Sequence, residues 1–182
     1  MEATTNFDDT RQILREIVQS QQETDRITKR NAKLIGDLGN KFGSFTEGMA
    51  FPSMERVLRE QFGMTTVTTR YKAQRNGDTI EIDVLGLANG TVNAVVIVEV
   101  KSHLKEHDVE QMLRITERFY EFFPEHNGKK LYAVLAFVDG AYEVQKQALR
   151  AGLYIARIHD EVFELLPTDE FTPKDFSRAE NE

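Results

Sequence analysis

The chain opens on a long proline-free run in which the residues of one face return at alternating steps of four and three. Ile13, Ile17, Ser20, Thr24, Ile27, Asn31, Leu34 and Leu38 form this seam, flanked by charged or polar side chains. That is the heptad spacing of a coiled coil with polar residues in its middle, and it predicts a helical oligomerisation segment over 1–40. The rival is a single amphipathic helix lying on the domain that follows. Asn31, buried in such a seam, fixes register at some cost in stability. Gly36, Gly39, Gly43 and Gly48 come next and predict a break or bend between Gly36 and Gly43. A second helix follows over 44–63, with Phe51, Met54, Val57, Leu58 and Phe62 on one face and Gly63 stopping it. Pro52 should kink it or mark the start of its main part.

The period then changes from helical to alternating. "MTTVTTRYKA" reads as a β-branched strand, and "DTIEIDVLGLA" and "TVNAVVIVEVKS" as a hairpin around Asn89-Gly90. "EHDVEQMLRITERFYEFF" is an amphipathic helix. "KLYAVLAFVDG" has the continuous apolar run of a strand buried on both faces. "AYEVQKQALRAG" is a short helix, "LYIARI" and "EVFELL" are two last short strands, and the polar tail over 167–182 should fray. The later strands connect through helices, so the sheet should be mixed, with helices on both faces. The fold class is α/β.

Charge interrupts the apolar hairpin at Glu81, Asp83, Glu99 and Lys101. A buried charge costs several kcal/mol unless it is paired or bound to a metal, so four in one hairpin need a reason. Whether the two pairs share a face depends on the turn. A two-residue turn sets Asp83 opposite Val96 and separates them. A three-residue loop sets Asp83 opposite Ile97 and Glu81 opposite Glu99, bringing all four to one face with Leu85, Leu87, Val95 and Ile97. Ile80, Ile82, Val84, Val96, Val98 and Val100 then line the other face. Chemistry requires the odd-numbered loop, or a bulge within the hairpin.

Carboxylates held this close cannot all ionise cheaply without a cation. Oxygen ligands, no cysteine and no HxxxH spacing point to Mg²⁺ or Mn²⁺ rather than Zn²⁺. Such ions polarise phosphorus and activate water, and a lysine nearby holds the water or stabilises developing charge. The simpler alternative is a structural ion-pair cluster at a strand end.

Composition adds bounds. The 182 residues, 40% of them apolar, suit one domain with an appendage. No stretch approaches the ~20 apolar residues of a membrane span. The absence of cysteine excludes disulfides, and the N-terminus lacks the pattern of a signal peptide, so a cytoplasmic protein is expected. A formal charge of −7 argues against broad electrostatic coating of nucleic acid. Local basic patches remain at Arg70, Lys72 and Arg75, and at Lys29, Arg30 and Lys33. His103 and His107 lie near Lys101 without forming a triad or ligand set, and His126 and His159 read as loop or surface residues.

Asp83, with Glu99-Val100-Lys101 sixteen residues on, resembles the D…(D/E)xK signature of the PD-(D/E)XK nuclease superfamily. The element order over 44–166 is similar to its core. The resemblance implies a restriction-endonuclease-like fold, with a long N-terminal helix added here. It implies that Asp83, Glu99 and the Val100 carbonyl hold Mg²⁺ (or Mn²⁺) and that Lys101 is the catalytic lysine. Many members add a glutamate from the first helix, which Glu47 matches best and Glu55 in reserve. Ser44-Phe-Thr-Glu47 also fits a helix capping box. Gln111 falls where some members place a glutamine, without their fuller spacing. The proline of the name is replaced by Ile82. The implied activity is hydrolysis of DNA phosphodiesters, RNA not being separable, by a homodimer or higher homo-oligomer. The alternative is a weak or inactive nuclease-fold scaffold serving as an assembly module.

Overall fold

The computed structural model describes residues 3–160, 162–166 and 171–177, with side chains from Thr10 onward except at 36–38 and 40–42. Helix α1 is Ala3–Glu60. The helix therefore runs through the glycines where the sequence predicts a break. A glycine inside a helix costs only about 1 kcal/mol against alanine, so three or four do not by themselves stop a long helix. Pro52 also lies inside it. By internal contacts the chain divides between Phe42 and Gly43.

The first unit is helical. Ile13, Leu14, Ile17, Val18, Ile27, Leu34 and Ile35 are all about half exposed or more. Leu38 of the predicted seam lies outside the described side chains. No described helix is long and apolar enough to cross a membrane.

The second unit is built on a mixed sheet, six strands among the described residues. These are β1 (Thr66–Arg75), β2 (Asp78–Ala88), β3 (Ala94–Leu104), β4 (Lys130–Gly140), β5 (Tyr154–His159) and β6 (Val162–Leu165), lying side by side in that order. β1, β2 and β3 form an antiparallel meander. β4 and β5 continue in parallel, reached through α2 (Glu106–Phe122) and α3 (Tyr142–Arg150), and β6 returns antiparallel. This is the predicted α/β class, with parallel pairs where helices intervene and antiparallel pairs where short turns do.

The sheet is covered on both faces. Ala50, Met54, Val57 and Leu58 from the end of α1 pack with Val84, Val96, Val98 and Val100. Val109, Met112 and Phe119 of α2 and Val144 and Ala148 of α3 pack with Leu85, Val95 and Ile97. β4 contributes to both layers, Val134 and Ala136 to one and Ala133, Leu135 and Phe137 to the other, which explains its unbroken apolar run.

Two expectations for the hairpin need correction. The loop is Asn89–Asn93, five residues rather than three, and Leu85 stands opposite Ile97. The odd count keeps odd positions facing odd positions, but the register moves by two. Lys129 holds the five-residue loop: its Nζ reaches Asn93 Oδ1 (3.0 Å) and Asn89 Oδ1 (2.5 Å), while Asn93 Nδ2 donates to the Gly128 carbonyl. The second correction concerns faces. Ile80 and Ile82 pack in the α2 layer with Leu85, not with Val84. The β1–β2 ladder runs from Thr66–Leu87 to Thr69–Val84 and resumes at Tyr71–Ile82, leaving Arg70 and Asp83 out. Arg70 there has φ +51°, a left-handed conformation that costs a non-glycine residue about 1 kcal/mol or more. The strand turns over at that point.

The segment 171–177 is docked rather than frayed. Lys174 N–H donates to the Gly152 carbonyl and Phe176 N–H to that of Leu131, while Asp175 Oδ1 accepts from Leu131 N–H. Phe176 packs on the core. Backbone bonds to strand starts hold a polar segment that hydropathy alone would release.

His126 is likewise buried, in a short 3₁₀ turn (Pro124–His126), stacked on Phe119 at 5.9 Å. Among the described residues its Nε2 has no hydrogen-bond partner. Burial, with Lys129 assisting against Glu125, holds its pKa below the ordinary 6.5. The unfolded chain therefore takes up the proton first. Stability is full above pH 6.5 and falls as pH drops through 6.5 toward the folded value. Glu99, whose pKa is raised to about 7, acts in the opposite sense over the same range, so the decline should be read from the difference in urea midpoint between wild type and His126→Phe from pH 7.5 to 5.

Candidate functional site

The site is built where two strands part. The last β2–β3 pair is Val84–Val98, so Asp83 and Glu99 are the next residues beyond the ladder. At that point the Asp83 side chain takes over from the backbone: Val100 N–H donates to Asp83 Oδ2 at 2.8 Å. The opening of the sheet and the position of the carboxylate are thus one feature. β3 stays paired to β4 past Lys101, which keeps Glu99 and Lys101 on a rigid strand.

Glu99 is only 7% exposed. Its Oε1 accepts from Lys101 Nζ at 2.6 Å and lies 3.5 Å from Gln111 Nε2 on α2. Lys101 Nζ is also 3.8 Å from Asp108 Oδ1. Asp108, buried in the first turn of α2, accepts from Lys105 N–H at 2.8 Å and so completes the capping of that helix. His107 approaches the same carboxylate at 3.3 Å. Asp108 was missed in the sequence. The available signal was Lys105-Glu-His-Asp108, an acid three residues into a helix that begins just after the lysine strand.

The electrostatics follow from burial. Desolvation raises Asp83 above its ordinary range; the Val100 N–H opposes this, Glu47 adds to it, Lys101 opposes it and Glu81 adds to it. Desolvation and then Asp83 push Glu99 up to about 7, against Lys101. For Lys101, burial alone would lower the pKa, but Glu99, Asp108 and Asp83 together outweigh it and raise it. The cluster holds more negative charge than one ammonium can compensate.

The other predicted residues divide around it. Glu47, Arg70, Asp83 and Val100 line one cleft of about 230 Å³ with Phe51 and Thr69. Within it Glu47 Oε2 and Arg70 Nη2 are 3.6 Å apart. Glu47 does not serve a capping box, because Ser44–Glu47 lies inside α1. Glu55 instead pairs along the helix with Arg59 at 2.9 Å and does not line the cleft. Lys72 pairs with Glu81 at 2.9 Å, and both are well exposed. Arg75 donates to the Glu121 carbonyl. Arg70 and Gln111 thus stand at the site, whereas Lys72 and Arg75 are engaged elsewhere.

A divalent cation fits the chemistry of this donor set: the buried Glu99 and the half-buried Asp83, which raises the Glu99 pKa, offer hard oxygens. Among the described residues no three acids or histidines form a ready-made ligand group. The protein would therefore supply part of a coordination shell, leaving room for water and a phosphate oxygen.

Residues 78–154 match the PD-(D/E)XK nuclease superfamily. No curated protein matches the chain. Among solved structures, an EndoMS–dsDNA2 complex is 15% identical with a TM-score of 0.39, covering 61% of this chain and 45% of that one. A repair endonuclease from Pyrococcus abyssi is 20% identical with a TM-score of 0.37, covering 60% and 47%. The chain thus spans less than half the length of each. The match to the superfamily begins at the start of β2 and ends as β5 begins, enclosing Asp83, Glu99 and Lys101, so the part of the chain that carries these residues is similar to the PD-(D/E)XK nuclease superfamily.

Proposed function

We propose that the protein is a metal-dependent nuclease that hydrolyses DNA phosphodiester bonds. The observation that carries this is the half-buried Asp83 and the buried Glu99 with Lys101 at the point where β2 leaves β3. Asp83, Glu99 and the Val100 carbonyl would hold Mg²⁺ or Mn²⁺. The bound ion supplies a polarised phosphate and a water of lowered pKa. Lys101 orients that water or meets the charge developing on phosphorus. Gln111 steadies Glu99, and Glu47 faces the cleft beside Asp83 as a further acid. Self-association through the N-terminal helix belongs to the same reading, since a dimer suits cleavage of two strands. A cytoplasmic site of action is consistent with the composition.

Isothermal titration of Mg²⁺ and Mn²⁺ into the wild type and into Asp83→Ala tests the site, followed by cleavage of plasmid DNA and of RNA. Binding heat in the wild type alone, with cleavage of DNA, is the expected result. Cleavage of RNA alone would move the substrate class. No ion binding, even with DNA present, would favour an inactive scaffold. One observation supports that second reading: Arg70 and Lys72 are partnered by Glu47 and Glu81, on a chain of net charge −7.

A further inference from the structure

We infer that the N-terminal helix binds a second copy of this chain in the antiparallel sense, about an axis between Asp25 and Arg26. The inference rests on the self-association proposed above and is independent of the nuclease reading. It starts from Ile13, Ile17, Ile27 and Leu34, each half exposed on one heptad seam. In heptad terms Ile17, Thr24 and Asn31 occupy one core position (a), and Ile13, Ser20, Ile27 and Leu34 the other (d).

An antiparallel pair sets each a residue against a d residue of the other copy. Aligned about Asp25 and Arg26, Ile17 meets Leu34, Thr24 meets Ile27 and Asn31 meets Ser20. The two strongly polar residues are then matched to each other, hydroxyl against amide. The Thr24 hydroxyl already donates to the Ser20 carbonyl at 2.9 Å, so its methyl is what it offers to Ile27.

The flanking positions decide the orientation. In a parallel pair the residues brought together are Glu16 with Gln21, Glu23 with Thr28 and Arg30 with Ile35, none of opposite charge. In the antiparallel pair Glu23 meets Arg30, twice by symmetry. Leu14 meets Ile35, also twice, covering two apolar side chains that are 56% and 70% exposed. Glu23 now contacts Arg26 at 3.1 Å, an exposed pair that is readily exchanged. Over residues 17–34 an opposite-charge pair, and at Leu14 and Ile35 two extra apolar contacts, are brought together in the antiparallel orientation only.

The chain has no cysteine, so single cysteines report contacts cleanly. Ser20→Cys and Asn31→Cys are prepared separately in the full chain, and light scattering first establishes the oligomeric state. Under mild oxidation, a mixture of the two variants should form a disulfide-linked dimer, whereas each alone should not. In this register position 20 lies about 16 Å along the helix from position 20 of the other copy, beyond the ~7 Å span of a disulfide. Arg30→Glu should raise the dissociation constant about tenfold, and Glu23→Arg combined with Arg30→Glu should restore it. A monomer at 100 micromolar (roughly the range in which marginal coiled coils still pair) overturns the inference. So does self-linking of either single-cysteine variant, which marks a parallel pair, or failure of the charge swap to restore binding.

Discussion

Asp83→Asn should lower the rate of phosphodiester cleavage about a thousandfold, some 4 kcal/mol of transition-state stabilisation, without unfolding the protein. Asparagine retains an oxygen that can accept the Val100 N–H, so the contact that closes the parted strands survives. What is lost is one negative charge from the pair that would hold the ion. Losing it relieves strain in the metal-free state, because burial and the neighbouring acids already raise Asp83. The melting temperature of the metal-free variant should therefore match or exceed that of the wild type at pH 8, even as cleavage disappears. Asp83→Ala provides the contrast. It leaves the Val100 N–H without its acceptor, at about 1–3 kcal/mol, and should lose stability as well as activity. A plasmid-nicking assay beside thermal melts of both variants separates the two contributions. Full activity in Asp83→Asn would remove Asp83 from the chemistry.

Phe119→Ala carries the largest expected effect on stability, about 3–5 kcal/mol by urea unfolding. Its side chain is fully buried on the inner face of α2, with ring contacts to Tyr120 at 5.2 Å, Phe123 at 5.1 Å and His126 at 5.9 Å. No single neighbour can relax into the space that deletion leaves, because the surrounding rings are held by their own contacts. Against a typical domain stability of roughly 5–15 kcal/mol, this removes about a fifth or more. A loss under 1 kcal/mol would mean that α2 is far less firmly seated than its packing indicates.

Much of this architecture is legible in the sequence because its signals are local. The change from helical period to alternation places β1–β3, and the uninterrupted apolar run of β4 marks a strand with both faces covered. That Asp83, Glu99 and Lys101 lie near one another is legible too, since the hairpin brings their chain positions together, although the strand turns over at Asp83 and parity does not set its face. What local pattern does not carry is the reach of distant residues. Lys129, some forty positions away, holds both ends of the Asn89–Asn93 loop, whose length sets the register two residues from the expected one. One skipped position, Arg70 against Asp83, moves Ile80 and Ile82 to the other layer. His126 is buried because α2 brings Phe119 beneath it, and segment 171–177 is held by carbonyls of Leu131 and Gly152. Each of these depends on a contact made only once the sheet has formed.

Asp108 divides its two oxygens between different tasks, Oδ2 toward the Lys105 amide and Oδ1 toward Lys101. Fraying of the first turn of α2 and departure of Lys101 from the acids therefore draw on the same carboxylate. Solvent exchange of the Lys105 and Asp108 amide hydrogens becomes an intrinsic gauge of events at the acid cluster. It registers what approaches Glu99 and Asp83 even when turnover is too slow, or the substrate too selective, for a catalytic assay to detect.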